Sequence, residues 1–455
     1  MIIRIIILTI TLSCLNGGHL IQSPDRPQII YAPNPIDLIL GQWEGVATTT
    51  TEQTRLILEL QHHKNVFSAS ISLMDMGVMG WPAKDVQLKG GELTLRFPTD
   101  NSEQILVLKL VDNGNGEAYL KGSWQDTSLE ELAEIRLYKQ ESEPSYKSTE
   151  ISVEGPEGTL SAEVVLPEGK GPYPGVIFLH GSGPQPKDTN RFSAFALAEE
   201  GIASIIFDKR GVAGSSGNWQ GADFEELARD GIAVARHFLA MEEIEFVGFF
   251  GHSQGGWIGP LAATLFDETK FVISSAGPAV SPAREAQWSF IYNAKIAGAE
   301  EEDIRLIRQV VDHWHDGLRT AEWKPYRSSL ELARAEAWFD AAGLGYLQYP
   351  PDPEQLKYYL PFMDYDPIPV LMELDVPLFA LLTPDDESID ALETEVILME
   401  LKTTGKDIRV KMYPGYNHGF RRIEAGRQIR WPGFPEDYFK LQAEFIKGIK
   451  TSNER

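Results

Sequence analysis

Residues 244–265 read IEFVGFFGHSQGGWIGPLAATL, and the fold is read outward from them. The apolar, β-branched and aromatic run Phe246 to Phe250 predicts a short buried strand. It breaks at Gly251-His252-Ser253-Gln254-Gly255-Gly256, after which Trp257, Leu261 and Leu265 recur at a spacing of four, a helical pattern. Strand, tight glycine turn and helix are the context that a G-x-S-x-G motif requires. Small residues at Gly251 and Gly255 let strand and helix pass closely. Ser253 Oγ then stands clear of the backbone, and the new helix aims its first N–H groups and positive dipole end at the same point.

On either side the chain alternates between buried strands and amphipathic helices, the rhythm of a mostly parallel sheet. Ile151–Val153 and Leu160–Leu166 form an opening antiparallel pair. Gly175–Leu179, Ile202–Phe207, Phe271–Ser275, Leu378–Leu382 and Ile408–Tyr413 are further strands. Helices are expected at Phe192–Glu200, with Phe195 and Ala198 inward, and at Phe224–Met241, with a stripe of Leu227, Ile232, Ala235 and Leu239. Two more are expected around Glu393–Leu401 and at Tyr438–Ile449. Residues 278–372 interrupt the alternation; helical and rich in Trp and Tyr, they read as an inserted cap.

A serine nucleophile needs a base, an acid that orients the base, and donors for an oxyanion. His418, in Tyr416-Asn417-His418-Gly419-Phe420, follows the last strand and is the candidate base. Of the other histidines, His252 lies within the elbow and is read as packing. His313 and His315, two apart on a cap helix, cannot face the same way. The acid belongs in Thr383-Pro384-Asp385-Asp386-Glu387, after the strand Leu378–Leu382, where Asp385 or Asp386 can serve. His180-Gly181-Ser182-Gly183-Pro184 is a glycine-rich turn able to aim the Ser182 N–H at a carbonyl oxygen, and the N–H of Gln254 supplies a second donor.

With these four pieces in the order nucleophile, acid, histidine, residues 150–450 resemble the α/β-hydrolase superfamily. Within it they are most similar to bacterial secreted esterases of the dienelactone hydrolase and prolyl-oligopeptidase-like branch, on HGSGP, on the loop Phe207-Asp208-Lys209-Arg210-Gly211-Val212-Ala213-Gly214-Ser215 and on the GHS-x-GG elbow. The resemblance implies a mostly parallel sheet flanked by helices, with Asp208 and Arg210 bracing their loop. The family places glycine three residues before its acid; counting by that pattern selects Asp386 and finds Thr383 in the glycine's place. Ala213 likewise stands where many members carry glycine. The implied activity is hydrolysis of small-molecule carboxylic esters through an acyl-enzyme on Ser253, with no metal or organic cofactor. A peptidase or amidase on the same residues is the alternative, for which Arg284 and Glu285 are candidate grips on a peptide terminus. A surface binding protein with a spent hydrolase half is the third reading.

Residues 36–140 differ in kind. Short alternating runs at Thr54–Gln61, Phe67–Leu73, Glu92–Phe97, Ile105–Val111, Ala118–Trp124 and Ala133–Tyr138, separated by turns such as Lys89-Gly90-Gly91, predict a small all-β barrel or sandwich. Gly41-Gln42-Trp43-Glu44-Gly45 resembles the opening of a lipocalin-like barrel, and a comparable β-domain precedes related secreted esterases. The polar stretch 141–150 marks the boundary.

Length and charge agree with this division. At 455 residues the chain exceeds one ordinary domain. The net charge of −25, from 66 acidic and 41 basic residues, argues against a nucleic-acid partner. Met1 to Leu12 is an apolar run behind Arg4, too short to span a membrane, and reads as a secretory signal. The sole cysteine, Cys14, follows it as in a bacterial lipobox, although Thr11 stands where leucine is preferred. The expectation is an exported, lipid-anchored envelope protein, with a plainly cleaved signal as the rival. Residues 15–35, rich in proline, read as a tether.

Overall fold

The computed structural model describes residues 38–449 apart from 64–65, 100–101, 113–117, 141–145, 348, 353–355, 358 and 425–428. The expected signal, Cys14 and the tether lie outside the described residues.

The first sheet has nine antiparallel strands: β1 (Gly41–Thr48), β2 (Gln53–His63), β3 (Val66–Leu73), β4 (Val78–Pro82), β5 (Asp85–Lys89), β6 (Glu92–Pro98), β7 (Glu103–Asp112), β8 (Ala118–Asp126) and β9 (Ala133–Lys139). Alternate residues face one core: Leu56, Leu58 and Leu60 of β2, Leu93, Leu95 and Phe97 of β6, and Ile135 and Leu137 of β9 are buried around Trp43 and Trp124. All six predicted runs are strands. The order β4-β3-β2-β1-β9-β8-β7-β6-β5 makes one curled sheet, a half-barrel, and decides the barrel-or-sandwich alternative against two packed sheets.

The second sheet comprises β10 (Tyr146–Gly155), β11 (Gly158–Pro167), β12 (Tyr173–Leu179), β13 (Ala203–Phe207), β14 (Ile244–His252), β15 (Thr269–Ser275), β16 (Leu378–Leu382) and β17 (Ile408–Met412), in the order β10-β11-β13-β12-β14-β15-β16-β17. Strands β10 and β11 pair antiparallel, and β12 to β17 run parallel. β10 begins at Tyr146, within the polar stretch 141–150 read as the boundary. The flanking helices are α1 (Asp188–Glu199), α2 (Phe224–Leu239), α3 (Gly255–Thr264), α9 (Ala391–Thr403) and α10 (Tyr438–Lys447), joined by α8 (Pro367–Glu373), which falls within the expected cap 278–372 but packs its Leu371 into the core of the sheet. A single apolar core unites the sheet with the helices on its faces. The spacing-four stripe on α3 is not its buried face. The helix is buried almost all round, Ile258 and Ala262 included, because it packs on β14 and β15 with α2 and α8 against its other sides, and Leu265 lies beyond its end, exposed.

Between β15 and β16 the insertion contributes α4 (Pro282–Ile296), α5 (Glu301–Thr320), α6 (Lys324–Ala333) and α7 (Phe339–Ala342). Trp314, Tyr326 and Trp338 pack with Ile304, Ile307 and Val311 into a core of the insertion's own. Most of the aromatic richness is therefore spent on holding the insertion together. Trp288 and Tyr292 of α4 point elsewhere, to the loop after β16.

Candidate active site

Parallel register brings the candidate residues to one edge. Leu179 pairs with Gly251 and His252 with Ser275, so the turn after β12 lies beside the elbow after β14. Leu382 pairs with Met412, which sets the loops after β16 and β17 side by side.

At the elbow Ser253 has φ +55, a conformation an L-residue adopts at a cost. The Ser253 N–H donates to Ser275 O at 3.0 Å, tying the turn to β15. A Cβ on Gly251 would lie 1.9 Å from Gly255 O, so the crossing of strand and helix admits glycine alone. His252, read as packing, is tied to β15. Its Nδ1 lies 3.2 Å from Ser275 Oγ, and burial pushes it down to about 3, so the ring is neutral.

The loop after β16 gives three consecutive acids three different tasks. Asp385 accepts the Gly415 N–H at 2.7 Å. Asp386, 1% exposed, holds both carboxylate oxygens 2.8 and 2.9 Å from His418 Nδ1, and its Oδ1 also accepts the N–H groups of Ser388 and Ile389. Glu387 accepts the His418 backbone N–H at 3.0 Å. Asp386 and not Asp385 reaches the histidine. A carboxylate at Nδ1 fixes the tautomer with Nε2 as the free base. Burial works against a charged His418, but the Asp386 hydrogen bond and the charges of Asp386, Glu387 and Glu285 outweigh it and leave the ring above the ordinary imidazole value.

His418 hangs over the elbow, its ring 5.0 Å from that of His252. Among the described residues Ser253 Oγ makes no hydrogen bond, so the structure joins the acid to the base and leaves the serine–histidine contact open. Such contacts commonly tighten only when substrate binds.

The HGSGP turn is held from behind. His180 Nε2 lies 2.5 Å from Phe207 O; burial pushes this ring down to about 3, so it is neutral and donates from Nε2. The Gly181 N–H donates to Gln185 Oε1 at 2.7 Å. The N–H groups of Ser182 and Gln254 have no acceptor among the described residues and remain available. Asp208 and Arg210 are braces, as the resemblance implies: Asp208 accepts the N–H groups of Lys187 and Gly214, and Arg210 grips Asp230 at 2.6 and 2.9 Å.

Sequence reasoning passed over Lys209, between those two. It is 2% exposed, and its ammonium donates to Gly181 O at 2.9 Å, Gly183 O at 3.2 Å and Gln254 Oε1 at 3.0 Å. Burial pushes it down to about 7. The signal was a run of three charged residues, Asp208-Lys209-Arg210, directly after an apolar strand. The insertion's contacts with the acid loop were also invisible: Trp288 Nε1 donates to Asp386 O at 2.8 Å, and Tyr292 OH to Asp385 O at 3.5 Å. Glu285, one turn earlier on that face of α4, feels the charges of His418 and Asp386, and withdrawal from water pushes its carboxyl up to about 8. Arg284 is engaged elsewhere, with Gln287 at 2.9 Å and Glu393 at 3.3 Å.

A family model described as "Alpha/beta hydrolase family" matches residues 176–421, more than half of the chain. The chain belongs to the alpha/beta hydrolase family. This alpha/beta hydrolase is 20% identical over 423 residues to esterase EstD of Thermotoga maritima, covering 90% of this chain and 91% of the relative. Among solved structures, the esterase Pf2001 of Pyrococcus furiosus superposes with a TM-score of 0.43 at 14% identity, over 69% of this chain and 96% of that one. The esterase of Pyrobaculum calidifontis gives 0.41 at 17%, over 67% and 85%.

Proposed function

We propose that this alpha/beta hydrolase is a serine hydrolase of small-molecule carboxylic esters. The observation that carries the proposal is the His418–Asp386 contact of 2.8 Å on the sheet edge where Ser253 stands on its strained elbow. The nearly full-length relative EstD is named an esterase, which supports the same reading. Ser253 Oγ attacks the ester carbonyl while His418 Nε2 takes its proton. Asp386 steadies the resulting imidazolium. The N–H groups of Ser182 and Gln254 receive the oxyanion. His418 returns the proton to the departing alcohol, leaving an acyl-enzyme. Water then attacks with His418 again as base, freeing the acid and Ser253.

Fluorophosphonate labelling and hydrolysis of a short p-nitrophenyl ester test this together. Labelling lost in Ser253→Ala, and hydrolysis lost in both Ser253→Ala and His418→Ala, is expected. Hydrolysis that survives Ser253→Ala would overturn the assignment.

Glu285 favours a second reading, amide or peptide hydrolysis. It puts a carboxyl without a hydrogen-bond partner, among the described residues, within the field of His418, where a substrate amine can meet it. Comparing p-nitrophenyl esters with amino-acyl and peptidyl anilides separates the two.

A further inference from the structure

Lys209 is a buried cation with an unusual set of partners. Burying an ammonium normally demands a carboxylate in return. Among the described residues none lies within ion-pair distance of Lys209: Asp208 faces Lys187 and Gly214, and Asp230 faces Arg210. The three hydrogen atoms of the ammonium instead match three neutral acceptors, Gly181 O, Gly183 O and Gln254 Oε1.

Those acceptors are not scattered. Gly181 and Gly183 flank Ser182, and Gln254 follows Ser253. The two oxyanion donors of the proposed mechanism therefore sit on two separate segments, the turn after β12 and the elbow after β14, and one ammonium is bonded to both. Adjacent backbone pairing stops at Leu179 and Gly251, before either donor. Beyond that point Lys209 is a direct link between the turn and the elbow residue itself.

We propose that Lys209 is a positioning residue of the oxyanion hole: by bridging Gly181, Gly183 and Gln254, its ammonium sets the separation and aim of the Ser182 and Gln254 N–H groups. The proposal rests on the serine hydrolase reading above. The energetic logic is preorganisation. The cost of burying the ammonium falls on folding, so the donors need no rearrangement when the carbonyl oxygen becomes negative. Lys209 touches no reacting atom, and its effect belongs to the transition state rather than to substrate binding.

The experiment compares Lys209→Met, Lys209→Arg, Gln254→Met and Ser253→Ala, with active sites counted by exhaustive fluorophosphonate titration so that misfolded enzyme drops out. Lys209→Met should lower kcat per titrated site by about 10²-fold, as loss of an oxyanion donor does. KM should stay within about threefold, because uniform binding is untouched. The affinity for a trifluoromethyl ketone, which needs the hole, should fall in step with kcat. Lys209→Arg keeps a cationic donor and should recover at least about tenfold over Lys209→Met. Gln254→Met retains its backbone N–H but breaks the bridge, and should lose about tenfold in kcat. If Lys209→Met yields no soluble protein, Gln254→Met and Lys209→Arg decide the matter. A kcat within about threefold of wild type in Lys209→Met or, failing that, in Gln254→Met would overturn the proposal, as would a loss confined to KM. Failure of the underlying reading looks different: there Ser253→Ala itself would still hydrolyse ester.

Discussion

Glu52, just before strand β2 of the half-barrel, accepts the backbone N–H of Arg430 at 3.0 Å from 378 residues away. Arg430 lies on the segment that follows His418. The same carboxylate takes the N–H of Trp431 at 3.1 Å, the Arg430 guanidinium donates to Glu131 O and Trp124 O, and the Trp431 ring sits 5.5 Å from that of Trp124. Back towards the site, Arg422 N–H donates to Gly433 O and Asn417 N–H to Arg421 O. The half-barrel thus anchors the far end of the loop whose near end carries His418, the base of the proposed mechanism. Glu52→Ala strands two backbone donors, a loss of about 1–3 kcal/mol. The expected result is a lower melting temperature together with a lower kcat at nearly constant KM, and Glu52→Gln, which retains an acceptor, should restore most of both. A melting temperature that falls while kcat per titrated site holds would confine the half-barrel's role to stability.

The division of labour among Asp385, Asp386 and Glu387 predicts unequal variants. Asp386→Asn should lower kcat by about 10⁴-fold, since an amide at Nδ1 favours the wrong tautomer. Asp385→Asn leaves His418 its partner and should cost far less. Because His418 titrates above its ordinary 6.5, and only the neutral ring is a base, kcat/KM should fall as pH drops through a midpoint above 6.5. The linked stability has the opposite sense: a raised folded-state value adds stability that is complete below 6.5 and is lost as pH rises through the folded value. Rate profiles and melting temperatures across about pH 5 to 9 read both.

Glu285 is raised to about 8 from an ordinary 4.5, so its ionisation opposes folding. That penalty is absent below 4.5, grows as pH rises, and is constant above about 8. Glu285→Gln should therefore melt higher than wild type at about pH 8.5 and match it at about pH 4.5. It should also shift the His418 limb of the rate profile downward, since one neighbouring negative charge is gone. Equal melting temperatures at both pH values would mean that the carboxyl is not withdrawn from water.

Ala213 occupies the left-handed region at φ +46, where glycine pays no steric penalty. Relief of about 1–2 kcal/mol of strain is set against about 0.5–1 kcal/mol of added unfolded-chain entropy. Ala213→Gly should stabilise by up to about 1 kcal/mol in denaturant titration, with activity unchanged. Destabilisation would indicate that the alanine methyl packs usefully.

Local pattern was enough for the scaffold. Strand β16 was legible to the residue because a wholly buried strand is a continuous apolar run, and Gly251-His252-Ser253-Gln254-Gly255 announced the elbow because only glycine fits that crossing. The serine, the acid-bearing loop and the histidine were each marked by sitting just after such a strand. Three matters needed the tertiary structure. Local pattern leaves Asp385 and Asp386 equivalent, and only the family resemblance preferred Asp386; which carboxylate faces His418 across the gap between loops is set by the tertiary structure. The roles of Lys209 and Glu285 come from burial beside groups far away in the chain, and burial of a charge leaves no periodic trace. The tie from Glu52 to Arg430 joins a side-chain carboxylate to a backbone donor 378 residues away, and which donors that carboxylate meets is set by how the two sheets' domains meet.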